Sequence, residues 1–285
     1  MKRLLSNTFL SAAMILTASV TCAQRAGNLG MLGGDVKLKK TVNFKLPVDY
    51  DYSKMRTVKT KSTQAAGTVY TIGRISHGKY VTEGADKGIP FDYGKSSLMT
   101  FYATNDDRII AVPQKGMPRE LALFVAGRTT YAASNVVREA RAARKDTTTA
   151  IGFKIKNAME LGHLFTPKKG HFELEIDVTP DTARISGFDI VGEGGDTCRI
   201  YLDNKAGKLT LADKGGDISS APLRLCEGGK YHLDIFVDHS HVDIFVDEGR
   251  IALSGDADVK KPADSLRLFS AGGKSKFSGI YVYGF

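Results

Sequence analysis

The stretch YHLDIFVDHSHVDIFVDEGR, Tyr231 to Arg250, decides the fold. Its apolar residues alternate: Leu233, Ile235 and Val237, then Val242, Ile244 and Val246. Period-two alternation marks strands with one buried face. Two such runs back to back predict a hairpin. For both apolar sets to share a face, Val237 must oppose Val242, Ile235 must oppose Ile244, and Leu233 must oppose Val246. Only an even-numbered loop does this, either His239-Ser240 or Asp238 to His241; an odd loop turns one strand inside out. A four-residue loop from Asp238 to His241 is expected, because Asp suits the first position of a type I turn and His-Ser is a poor two-residue turn.

The pattern continues outward from this hairpin. Phe172 to Val178 alternates strictly, and shorter runs follow at Gly187–Ile190, Cys198–Asp203, Lys208–Leu211, Ser265–Ser270 and Gly279–Tyr283, separated by Gly-rich turns. Regularly spaced short strands predict a β-sandwich over residues 147–285. Before it, Asn135 to Asp146 (NVVREARAARKD) predicts one short helix, capped by Asn135. Residues 67–83 predict two short strands joined at His77-Gly78.

The text VDHSHVDIFVDEGR resembles the hairpin near the end of glycoside hydrolase family 32, the fructan hydrolases and invertases. His239 stands where that family has Arg, His241 where it has Ser, and Asp243 where it has Glu. Five upstream segments are similar to family segments, in family order. They are Gly67 to Glu83, Phe91-Asp92-Tyr93-Gly94-Lys95, Thr100-Phe101-Tyr102, Arg108 to Val112, and Pro118-Arg119-Glu120-Leu121. The resemblance implies an all-β chain: a concanavalin-like sandwich of two antiparallel sheets, preceded at 63–134 by the last part of a five-bladed propeller and a linker helix at 135–146. It also implies that Asp92 and Lys95 bind a hydroxyl of a β-fructan. The text after them, Ser96-Ser97-Leu98-Met99, departs from the family.

Hydrolysing a glycosidic bond takes two carboxyl groups facing each other across it. The family draws its nucleophile from a W-M-N-D-P-N element, a stabilising Asp from R-D-P and its acid/base from E-C. This chain has no Trp, no Arg-Asp-Pro and no Glu-Cys. No catalytic residue is therefore assigned. His239 and His241 beside Asp238 and Asp243 have the chemistry of zinc ligands. The sequence places no third ligand near them, so they read as a solvated turn and no metal or other cofactor is expected. Asp196, Asp203, Asp213 and Asp217 lack calcium-loop spacing and read as turn residues. No Gly-x-Ser-x-Gly nucleophile turn is present.

The first 23 residues read as a secretory leader, with Lys2 and Arg3, an apolar stretch from Phe9 to Val20, and small residues Thr21-Cys22-Ala23 before Gln24. The stretch is too short to span a bilayer. Export to the periplasm or beyond is expected, with a lipoprotein anchored at Cys22 the lesser alternative. Only Cys198 and Cys226 would then remain. An oxidising compartment permits one disulfide between them, worth roughly 3 kcal/mol; two buried thiols are the other reading.

The formal charge is +9. Much of it is local, since residues 25–61 hold nine Lys or Arg against three Asp. Residues 24–62 read as a basic, solvated arm with one strand at Val42–Leu46. No recognition helix or RNA-binding aromatic motif accompanies the charge, so nucleic acid is not an expected partner. A truncated propeller would leave a bare strand edge, and another chain or the arm is expected to cover it. Three functions stay open: a non-catalytic module associated with β-fructan, a working β-fructosidase that has an unrecognised acid pair or is completed by another chain, and a protein-interaction sandwich with no sugar role.

Overall fold

The computed structural model describes residues 42–285 apart from 65–66, 85–87, 95–97, 163–170, 193–194, 227 and 258–262. The leader, residues 24–41 of the arm and Lys95 lie outside the described residues. Contacts divide the chain into two units, one within Met1–Phe91 and Ser96–Ala143, the other within Asp92–Lys95 and Arg144–Phe285.

The first unit is a nine-stranded sheet. Its strands are β1 (Asn43–Val48), β2 (Asp51–Thr63), β3 (Gly67–Ser76), β4 (Lys79–Thr82), β5 (Ile89–Pro90), β6 (Met99–Ala103), β7 (Ile109–Pro113), β8 (Arg119–Ala126) and β9 (Thr129–Val136). They run in the order β4-β3-β2-β1-β8-β7-β6, with β5 on β3 and β9 on β8. All pairs are antiparallel except β1 with β8, which meet at Val48 and Leu123. Val58, Tyr70, Ile72, Phe91, Ala111, Leu121 and Leu123 form its core. The tight turn at His77-Gly78 appears as expected, both residues having positive φ, which suits a hairpin's right-handed twist.

Two expectations need correction in this unit. Residues 42–62 are not an arm with one strand, because β2 follows β1 and pairs with it from Asn43↔Lys59 to Val48↔Asp51. The charged text of β2 hid it, since only Val58 and Thr60 point fully inward. The helix at Asn135–Asp146 shrinks to α1, Arg138–Ala142. Asn135 belongs to β9, opposite Glu120, and its side chain accepts from the Val136 N–H rather than capping a helix.

The second unit is the sandwich. One sheet holds β10 (Lys145–Ala150), β11 (Phe153–Ile155), β13 (His171–Thr179), β18 (Tyr231–Asp238), β19 (His241–Val246), β20 (Ile251–Asp256) and β22 (Ser275–Gly284). Its order is β10-β22-β13-β18-β19-β20, with β11 on β22. The other holds β12 (Ala158–Glu160), β14 (Ile185–Gly192), β15 (Thr197–Asp203), β16 (Lys208–Asp213), β17 (Gly216–Pro222) and β21 (Ala263–Ala271), in the order β12-β21-β14-β15-β16-β17. All these pairs are antiparallel. Leu174, Ile176, Ile235 and Ile244 line one inner face, and Phe188, Ile200, Leu211 and Leu268 the other, each fully buried.

The opening hairpin has the register that its alternation requires. Leu233 faces Val246, Ile235 faces Ile244 and Val237 faces Val242. Its loop is the shorter of the two even choices, because Asp238 and His241 also pair. His239 turns the chain at φ 55°, the sign that a primed two-residue turn needs at its first central position. The Asp238 carboxylate holds the His239 ring, Nδ1 to Oδ1 2.8 Å. Among the described residues no helix is long and apolar enough to cross a membrane.

Candidate functional site

Alternation that buries one face of β14, β15 and β21 leaves the other face of that sheet to face outward. Register then brings distant residues together. Gly187 lies opposite Tyr201 on β15 and opposite Phe269 on β21. Asp189, two residues on, lies opposite Arg199 and Arg267. The result is a cleft of about 500 Å³ whose lining includes Arg199, Tyr201, Asp213, Asp217, Arg267 and Phe269.

Gly187 lies beneath the Phe269 ring at one side of this cleft. A Cβ there would stand 2.4 Å from the Ile200 carbonyl oxygen and 2.8 Å from both Tyr201 Cβ and Phe269 Cζ. Only glycine lets the tip of the Phe269 ring rest on β14 at this point. Asp189 is fully buried beneath two arginines. Arg199 donates from Nε and Nη2 at 2.7 and 3.0 Å; Arg267 donates from Nε and Nη2 to Oδ2 at 2.9 and 2.5 Å. The carboxylate fixes both guanidinium planes while leaving their outer edges in solvent, 46% and 38% exposed. Hydrogen bonding to Asp189 raises the Arg199 pKa. The Arg199 guanidinium also stacks over the Phe269 ring at 4.8 Å. At the rim the Tyr201 hydroxyl donates to Asp217 at 3.1 Å, and burial raises its pKa. Aromatic faces, oriented donors and carboxylate acceptors around one open cleft suit a neutral polyhydroxylated ligand.

Of the residues the sequence singled out, Asp213 and Asp217 line this cleft and Asp92 lies elsewhere. Asp92 is buried, and its Oδ1 accepts the N–H groups of Ser254 at 3.0 Å and Gly94 at 2.5 Å. Tyr93 donates its N–H to the Ala252 carbonyl. The segment therefore lies along β20, and Gly94 is needed there because a Cβ would meet Ser254 at 2.4 Å. Asp203 and Asp213 accept from Ala206 N–H and Gly215 N–H, as turn residues do. Cys198 and Cys226 are both free thiols, not a disulfide. Burial pushes the Cys198 thiol up to about 12 and the Cys226 thiol higher still. The groove itself was not legible, since its residues come from five strands and no local motif joins them.

A second cluster resembles a catalytic pair by distance alone. One oxygen each of Glu173, Glu175 and Asp234 lie within 4.8 Å of one another, close to the ~5–5.5 Å of a retaining glycosidase. Glu173 and Asp234 are 0% and 2% exposed, however. Arg144 pairs with both glutamates and its guanidinium covers the Tyr283 ring at 4.1 Å. No sugar reaches carboxylates sealed in this way. Nearby, His241 bonds Asp256 through Nδ1 at 2.7 Å and lies 3.7 Å from Asp243. Burial alone would lower its pKa, but the two carboxylates outweigh burial and raise it to about 9.

Residues 136–284, just over half of the chain, match the family model described as glycosyl hydrolases family 32 C terminal. The chain belongs to this family. No curated protein matches the sequence. Solved structures do. Exo-inulinase from Aspergillus awamori superposes with a TM-score of 0.67 at 16% identity, covering 85% of this chain and 56% of the inulinase. β-Fructofuranosidase from Schwanniomyces occidentalis, in complex with fructosyl-erythritol, gives 0.70 at 11%, covering 86% and 59%. Fructan 1-exohydrolase IIa from Cichorium intybus gives 0.62 at 12%, covering 86% and 60%. At these identities the likeness is one of fold. It extends beyond the family 32 sandwich into the nine-stranded sheet, because the sandwich alone is too short to account for such coverage. The family 32 chain described here spans less than two thirds of the length of each of these structures.

Proposed function

We propose that this family 32 protein is an exported, non-hydrolytic module of β-fructan utilisation that holds the polysaccharide in the groove between Tyr201 and Phe269. The groove carries the reading: the rings of Tyr201 and Phe269 line it beside the Asp189-bound arginines, which act as oriented donors. The missing W-M-N-D-P-N, R-D-P and E-C elements support the non-hydrolytic part. The fructosyl ligand in the Schwanniomyces occidentalis structure supports the choice of fructan among neutral polysaccharides. Another chain over the nine-stranded sheet belongs to the same reading, since Ile75 and Val81 on β3 and β4 are more than half exposed.

Affinity electrophoresis in levan and inulin gels tests the proposal, with Tyr201→Ala as the groove variant. The wild type is expected to be retarded in at least one gel, and the variant to run as in a blank gel. Unchanged wild-type mobility in both gels removes the sugar-binding reading. Fructose release that is abolished by replacing one carboxylate would show a working hydrolase instead.

A further inference from the structure

The hairpin turn carries a second site, independent of the groove. Of the four candidate ligands the sequence put there, Asp238 and His239 come together, and the fold supplies a third in His171. His171 opens β13 and pairs in register with Asp238, the last residue of β18. Directly opposed residues share a face, so the His171 ring reaches Asp238, Nδ1 to Oδ1 2.7 Å. From the other side His239 folds back on its positive φ and brings its own Nδ1 to the same oxygen at 2.8 Å. The two imidazoles meet edge to face with centroids 4.3 Å apart. One ligand atom each of His171, Asp238 and His239 fall within 4.8 Å of one another.

We propose that His171, Asp238 and His239 form a binding site for a divalent transition-metal ion, of which Zn²⁺ is the best fit. The ligand set is two imidazoles and one carboxylate, which suits Zn²⁺ and its neighbours rather than Mg²⁺ or Ca²⁺. Zinc takes nitrogen at roughly 2.0–2.1 Å and carboxylate oxygen at roughly 2.0–2.2 Å, four-coordinate and tetrahedral. Tetrahedral ligands at that radius stand about 3.4 Å from each other. The Nδ1-to-Oδ1 separations therefore need to open by well under 1 Å, which side-chain rotation provides on an exposed turn. The side chains are 36%, 37% and 69% exposed for His171, Asp238 and His239, so an ion can enter and a water can complete the fourth position. Each imidazole would give its Nδ1 lone pair to the metal and carry its proton on Nε2 toward solvent. Such an ion would tie the start of β13 to the tip of the β18–β19 hairpin.

Calorimetric titration with ZnCl₂, on the full mature chain without a polyhistidine tag and freed of metal by a chelator, tests this. Wild type is expected to bind one ion per chain. His239→Ala and His171→Gln are each expected to weaken binding by at least ~10-fold, since even supporting residues around a metal change affinity by that much. His239 lies in an exposed turn, so its variant keeps the fold; unfolding temperature in chelator checks this. Co²⁺ on the wild type gives a second readout, the visible bands of a tetrahedral site, which both variants should lose. No saturable binding by the wild type would overturn the proposal. So would equal affinity in wild type and both variants, which would assign the ion to other histidines.

Discussion

Replacing Asp189 by Asn tests how the groove is held together. The side chain keeps its shape and loses its charge. Asp189 accepts four N–H bonds from two arginines in a fully buried position. Asn would offer one acceptor oxygen and turn two donors toward other donors. Breaking a buried ion pair costs about 3–5 kcal/mol, because the surviving charge is left uncompensated. Here the survivors are arginines 46% and 38% exposed, so water recovers part of the loss and about 3 kcal/mol is expected. For a domain of this size that lowers the unfolding temperature by ~6–12 °C. Arg199→Met and Arg267→Met each leave one pair intact and should cost less, about 1–2 kcal/mol. The chain has no Trp, so urea unfolding is best followed by circular dichroism. An Asp189→Asn protein within ~0.5 kcal/mol of wild type, the range of neutral surface changes, would refute this reasoning. So would one more stable than either arginine variant.

Other outcomes follow from the same structure. Cys198 and Cys226 should resist alkylation in the native protein at pH 8 and both react in denaturant without reductant; two unreactive sulfurs in denaturant would indicate a disulfide. Glu139 sits below its ordinary value of 4.5, with Arg108 the chief cause. A depressed carboxylate stabilises above its unfolded pKa and loses that contribution as pH falls through the folded one. Glu139→Gln should therefore lower the urea midpoint at pH 7 and change it less at pH 3; equal losses at both would contradict the pairing. Export predicts a mature protein beginning at Gln24, which mass spectrometry of the periplasmic or extracellular fraction would detect.

How much of this was legible depends on the range of the interaction. The hairpin register was legible because burial of one face leaves a period of two in the text, as at Leu233, Ile235 and Val237. Its turn length was not, because a positive φ at His239 leaves no compositional mark. The long strand β2 was hidden by its lysines, which a half-solvated strand tolerates. The helix was overread because Ala and Arg favour helix locally, whereas Arg144 is drawn to Glu173 and Glu175, about thirty residues away. Both candidate sites depend on cross-strand register. Gly187 meets Phe269, and His171 meets Asp238, only after the sheets have formed.

The most direct test of the central claim is calorimetric titration of the wild type and Tyr201→Ala with levan and inulin oligosaccharides, with free fructose assayed in the cell afterwards. The account predicts saturable binding by the wild type, affinity at least ~10-fold lower in the variant, and no fructose from either. Equal binding by both proteins, or fructose released by the wild type, would contradict it.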